Sequence, residues 1–259
     1  VNLNKKIITV LKVQEAVEVL FRMSNIKDKL ILNSFKSFLD DFYQFSDYFE
    51  FSFGEGNFGL YALFSDKVTK SKGLCSYTLK YKKNDLFFGK YKKSFSIPKN
   101  YSFLEKEFYP LMEGVGKGKA NYYCLRKGVF PLNKILQLLK KYDLPLKKFS
   151  IIFNTLFKKS FDHKCILSLK SDIFGKLNSL KFYFNMIYID EQSLIDLISK
   201  LNKFNLISSS YFNIFSFLRN TFGHNVKTEY ITLEVDKKGN ISSNIYDIIF
   251  PYSQQIYDL

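Results

Sequence analysis

Four short runs of aromatic and β-branched residues follow one another in the first half of the chain: Tyr48–Phe53, Phe58–Phe64, Leu74–Tyr81 and Asp85–Tyr91. The breaks between them, Gly54–Gly56, Lys70–Gly73 and Lys82–Asn84, are turn-forming and brief. Connections this short join neighbouring strands only in antiparallel fashion. Residues 48–97 therefore predict an antiparallel meander, which constrains the fold more than any other stretch.

The flanking segments have a different period. From Gln14 to Phe45 the residues Val13, Val17, Leu20 and Phe21, then Leu30, Ile31, Phe35, Phe38 and Phe42, recur at helical spacing. Glu113–Lys119, with Gly114, Gly116 and Gly118, reads as a flexible basic loop. Beyond Pro131 the pattern predicts helices over Leu132–Tyr142, Leu146–Lys158, Ile166–Tyr188 and Asp190–Phe204, and a strongly apolar helical segment over Tyr211–Leu218 capped by Ser208–Ser210. Ile231, Leu233 and Val235 alternate before the Lys238-Gly239-Asn240 turn, which predicts a terminal hairpin. The expected fold is α+β. Residues 1–124 form an N-terminal antiparallel β-containing region, and residues 125–259 a helical bundle with a terminal β-hairpin.

The chain has 259 residues, 39 Lys+Arg against 24 Asp+Glu, and a net charge of +15. Only Arg22, Arg126 and Arg219 are arginines. That bias, with 29 Phe, 18 Tyr and no Trp, fits an AT-rich genome, so the charge alone does not identify a nucleic-acid surface. Cys75, Cys124 and Cys165 are far apart and lack metal-ligand spacing, which points to free thiols, a reducing cytoplasm and no metal or cofactor. No secretory leader and no run of ~18 apolar residues is present, which disfavours membrane spanning.

Several motifs bear on function. Gly54-Glu55-Gly56-Asn57-Phe58-Gly59 matches G-x-G-x-x-G, but strand-like flanks favour a glycine-rich hairpin connection over a dinucleotide site. It is closer to a protein-kinase glycine loop, yet no H-R-D or D-F-G follows. Glu113–Ala120 is a broken Walker A, without its first Gly and its Ser/Thr. His163 reads as a surface or cap histidine. Lys140, Lys141, Lys147, Lys148, Lys158 and Lys159 lie in pairs beside Tyr142, Phe149 and Phe157, a pattern suited to phosphates and unpaired bases.

The sharpest signal is Leu218-Arg219-Asn220-Thr221-Phe222-Gly223-His224, R-N-x-x-x-H at the end of an apolar helix. It resembles the R-x(4–6)-H motif of the HEPN superfamily of helical nucleases in prokaryotic defence, toxin and CRISPR-associated systems. The resemblance covers residues 125–230 as an architecture, and Arg219, Asn220 and His224 as residues. It implies a metal-independent endoribonuclease that cleaves single-stranded RNA through 2′-hydroxyl attack. His224 would be the acid/base, Arg219 the phosphate clamp and Asn220 the positioner. Such domains pair to build a composite site, so the single motif implies a homodimer. A regulatory protein or nucleic-acid partner would control it, in a cytoplasmic antiphage or toxin system. The alternative expectation is a non-catalytic nucleic-acid-binding or interaction subunit of a defence complex.

Overall fold

The computed structural model describes residues 3–42, 46–64, 74–82, 84–94, 96, 99, 101, 104, 108–116, 118–125, 130–158, 160–161, 165–172, 174 and 176–249. The chain opens with helices α1 (Leu3–Met23) and α2 (Lys29–Phe42). Six long strands follow: β1 (Tyr48–Gly54), β2 (Asn57–Leu63), β3 (Leu74–Lys82), β4 (Asp85–Lys93), β5 (Phe108–Gly116) and β6 (Gly118–Leu125). The short β7 (Phe130–Pro131) and β8 (Ser160–Phe161) bracket α3 (Leu132–Lys141) and α4 (Lys147–Phe157). Then come β9 (Cys165–Ser171), β10 (Leu177–Asn185), α5 (Glu191–Lys203), α6 (Tyr211–Phe222), β11 (Val226–Asp236), β12 (Ile241–Ser242) and β13 (Asn244–Ile249).

One antiparallel sheet dominates, in the order β10-β9-β6-β5-β4-β3-β2-β1-β13-β11-β12. Its ends meet. β10 pairs with β11 from Ser179 opposite Asp236 to Asn185 opposite Tyr230. Leaving out the two-residue β12, the strands close into a ring, a β-barrel that leaves no free edge among its long strands. Strands before and after residue 124 share this ring, since β6 pairs with β9 and β1 with β13. The helices form no bundle of their own. They come in pairs ahead of the hairpins β1–β2, β9–β10 and β11–β13, and pack on the barrel's outer face.

The expected α+β division into a β region and a helical bundle is therefore corrected to a barrel wrapped by helices. The clearest error is Ile166–Tyr188, which forms the hairpin β9–β10 and not a helix. Both faces of these strands are largely buried, but only the outer face is consistently apolar; Ser168, Lys170, Ser179 and Lys181 on the inner face alternate with it. Leu167, Leu169, Leu180, Phe182 and Phe184 join the core under the helices, while Ile166 and Tyr183 belong to a separate interior cluster. Glu113–Gly116 and Gly118–Lys119, expected as a loop, are the turn-side ends of the paired strands β5 and β6. The described residues of the broken Walker A lie on these two paired strands.

Aromatic rings fill the outer core. Phe58 lies 5.1–5.7 Å, centroid to centroid, from Phe21, Phe35, Phe51 and Phe53, contacts that hold α1 and α2 on β1–β2. Asp190 caps α5 by accepting from the Ser193 N–H at 2.9 Å. α6 is tied down by a buried polar bridge. The Tyr211 hydroxyl donates to Asp247 at 2.6 Å, and Thr228 donates to the other carboxylate oxygen at 2.6 Å. Burial nevertheless pushes the Asp247 carboxyl up to about 6, against the pull of Thr228, Tyr211 and Arg219.

A carboxyl raised in the folded state favours folding when protonated. That contribution is complete below the ordinary aspartate range and is lost as pH rises through about 6. Relative to Asp247→Asn, the wild-type protein is expected to lose about 2 kcal/mol of stability between pH 4 and pH 7. Urea melts of both proteins across that range measure it. Parallel pH dependence would overturn it.

Candidate active site

Alternation along the strands sorts the barrel's side chains. Phe49, Phe51 and Phe53 of β1 face the helices, so Glu50 and Ser52 face the lumen. Register carries this around the ring. Glu50 lies opposite Tyr61, and Tyr61 opposite Thr78. Ser52 lies opposite Gly59, and Gly59 opposite Lys80. On the far side Lys181 of β10 pairs with Glu234 of β11 and with Ser168 of β9. Tyr230 pairs with Tyr246, which pairs with Ser52.

Tyrosine dominates the lumen. Tyr61 and Tyr183 stand 5.8 and 5.5 Å from Tyr246, and Tyr230 stands 5.9 Å from Tyr183. Two lysines lie against these rings. Lys181 Nζ is 5.0 Å from the centroids of both Tyr183 and Tyr246, and donates to the Tyr246 hydroxyl at 2.7 Å. Lys80 Nζ is 4.8 Å from the Tyr61 centroid and 5.9 Å from that of Tyr91.

The two lysines differ electrostatically. Burial, with the like charges of Lys80 and Lys82, outweighs Glu234 and lowers Lys181 to about 7. Burial acts on Lys80 in the same direction, but Tyr91, Tyr246 and Glu234 more than offset it, and its pKa is raised. Burial also opposes ionisation of Glu234, yet Lys170 at 2.8 Å, Lys181 and the Ser179 hydroxyl at 2.7 Å hold it well below the usual carboxylate range. Burial and Glu229 push Glu50 well above that range, against Lys80 and Lys181. Thr78 Oγ1 and Ser168 Oγ are buried in this wall without a hydrogen-bond partner, unusual for native polar groups. The lumen can thus hold an anion with its lysines, lay aromatic faces against a cation or a flat ring, and exchange a proton at Glu50, whose acid form burial favours.

The residues expected to cut RNA lie elsewhere. Arg219 sits on the last turn of α6. Its Nη1 donates to the Val226 carbonyl at 2.5 Å, and its guanidinium lies 4.9 Å from the Phe215 ring. Asn220 and His224 are exposed on the outer surface, His224 in a 3-10 turn over Gly223–Asn225. Lys140 and Lys141 end α3, Lys147 and Lys148 begin α4, and Lys158 caps it in a left-handed conformation (φ 56°). Those five are exposed on the outside of the barrel. Lys159 and His163 lie outside the described residues. The G-x-G-x-x-G segment is the β1–β2 hairpin, at the edge of an outer cleft of about 730 Å³ lined largely by Asn and Ser. Among the described residues no His/Cys/Asp/Glu cluster could hold a metal, and no helix is long and apolar enough to cross a membrane.

Sequence reasoning missed the lumen residues. A signal was present: Lys181 interrupts an otherwise apolar run, Leu180-Lys181-Phe182-Tyr183-Phe184, and only a strand with a polar interior accommodates it there.

No protein-family profile matches the chain, and no curated protein is similar to it in sequence. Solved structures are similar to it in fold. 5-Dimethylallyltryptophan synthase from Streptomyces coelicolor superposes with a TM-score of 0.66 at 8% identity, over 94% of this chain and 98% of that one. The prenyltransferase PriB, in a ternary complex with L-tryptophan and dimethylallyl thiolodiphosphate, gives 0.64 at 7%, over 93% and 96%. NotF, in complex with brevianamide F and DMSPP, gives 0.60 at 7%, over 94% and 93%. These neighbours are transferases with small-molecule substrates. The expectations of a HEPN ribonuclease, of an RNA partner and of a defence or toxin role, including the non-catalytic subunit, are corrected accordingly. The chain has the barrel fold of these prenyltransferases.

Proposed function

We propose that this protein transfers an allylic group from its diphosphate to an aromatic acceptor inside the barrel. The observation that carries the reading is the facing pair Lys80 and Lys181 in a tyrosine-lined lumen. An allylic diphosphate needs a cationic cradle for its head and apolar, electron-rich faces for its tail. Cleavage of the carbon–oxygen bond leaves pyrophosphate on the lysines and an allylic cation beside Tyr61, Tyr183 and Tyr246, whose π-faces stabilise it. The allylic carbon then bonds to a ring carbon of the acceptor, and the displaced ring proton passes to Glu50. Burial and Glu229 favour its acid form, so only the ionised fraction of Glu50 can take that proton, and that fraction is a stronger base than a surface glutamate. The fold likeness to structures that hold tryptophan and a dimethylallyl thiolodiphosphate supports this chemistry and makes indoles the first acceptors to test.

The direct test incubates the protein with dimethylallyl diphosphate and L-tryptophan or a tryptophan-containing cyclic dipeptide, and follows products by mass spectrometry. A product carrying one dimethylallyl group in place of a proton is expected. Lys181→Ala and Glu50→Gln should each lower kcat/KM by about 100-fold. Failure to form any product across aromatic acceptors, together with no affinity for pyrophosphate, would overturn the proposal.

Charge adds a second expectation. With Lys181 at about 7 in the unliganded protein, about nine-tenths of these lysines are neutral at pH 8. Bound pyrophosphate restores the ammonium, so binding at pH 8 should take up close to one more proton in wild type than in Lys181→Arg. Calorimetry in buffers of different ionisation enthalpy reads that difference, and equal uptake would contradict it.

A further inference from the structure

Gly114 is a lumen residue of β5, directly opposite Tyr91 of β4. It is buried, and its φ lies outside the left-handed region, so backbone conformation does not require glycine. Space does. A Cβ at Gly114 would overlap Cδ1 and Cε1 of the Tyr91 ring and lie 3.1 Å from Cζ. The ring therefore rests directly on the β5 backbone. Gly89, two residues before Tyr91, is similarly confined: a Cβ there would come within 2.7 Å of Thr78 Cγ2 and 3.4 Å of Tyr91 Cε2. From this seat Tyr91 accepts a hydrogen bond from Lys80 and keeps its ring 5.9 Å from that ammonium.

We infer that Gly114 is a positioning residue, whose missing side chain seats Tyr91 so that Tyr91 holds the Lys80 ammonium in the anion-binding wall. The final link, to a bound diphosphate, rests on the proposed function. The seat and its grip on Lys80 do not. This assigns a purpose to a glycine that composition alone would leave as a loop residue.

A double-mutant cycle tests the seat. Gly114→Ala should lower Tm by several degrees in the wild-type background and by less than about one degree in Tyr91→Ala, where the ring is gone. If Gly114→Ala alone does not fold, recovery in the double variant supports the seat. Additive losses, or no recovery, overturn it. Heteronuclear NMR of 13C-lysine-labelled, ligand-free protein, assigned with Lys80→Arg, reads the grip. Both Gly114→Ala and Tyr91→Phe should move the Lys80 titration to lower pH, and an unchanged titration overturns the link. Pyrophosphate affinity should fall about tenfold in both variants, as expected for a lost hydrogen bond to a charged group. Wild-type protein that passes the first two tests but does not bind pyrophosphate would remove the diphosphate reading and leave the seat standing.

Discussion

The pairing of β10 with β11 closes the sheet, and the remaining architecture depends on it. Without it the strands from β10 round to β11 would form an open sheet with two exposed edges and an inner face in contact with water. With it the inner face becomes a lumen in which Lys181 and Glu234 sit across one rung. Burial then changes the chemistry of Glu50, Lys181 and Glu234 on that face. Lys181 drifts towards neutrality, Glu50 towards its acid form, and Glu234 stays ionised only because lysines surround it. The outer face is equally specified. Phe, Leu and Ile side chains at the alternate positions bury the helices, so a one-residue slip in any strand would expose that core and send charges into it.

The helices divide unevenly around the ring. Paired helices precede β1–β2, β9–β10 and β11–β13, while β4 presents Leu86 and Phe88 at 38% and 53% exposure. The polar bridge from Tyr211 to Asp247 and Thr228 belongs to the α6 side. It places one residue of β13 in the helix interface while its chain neighbour, Tyr246, faces the lumen and binds Lys181. Helix packing and lumen chemistry are thus one residue apart on the same strand.

How much of this could be read from the sequence follows from burial. β1 to β4 were legible because Gly- and Lys-rich turns separate short runs. α5 was legible because Asp190 and Glu191 precede a clean apolar stripe. β9 and β10 were not: Ser168, Ser179 and Lys181 are polar residues buried inside the barrel, and among Leu and Phe they look like the solvent side of an amphipathic helix. The lumen site was hidden for a related reason. Its members come from strands far apart in sequence, and no local spacing joins Glu50, Lys80, Lys181 and Glu234. The R-N-x-x-x-H motif was the opposite case: three polar residues close in sequence, of which Arg219 ties the end of α6 to β11 while Asn220 and His224 are exposed. Arg219 spends its guanidinium on the Val226 carbonyl and the Phe215 ring.

The register of β4 on β5 covers only Lys90 to Lys93 against Met112 to Val115, whereas β3 on β4 runs from Leu74 to Lys82. A closed ring carries load around its whole circumference and parts where the rungs are fewest. Tyr91 and Gly114 occupy that stretch. Among the described residues the glycine contact therefore joins the two long strands that share the fewest rungs, beside Lys80.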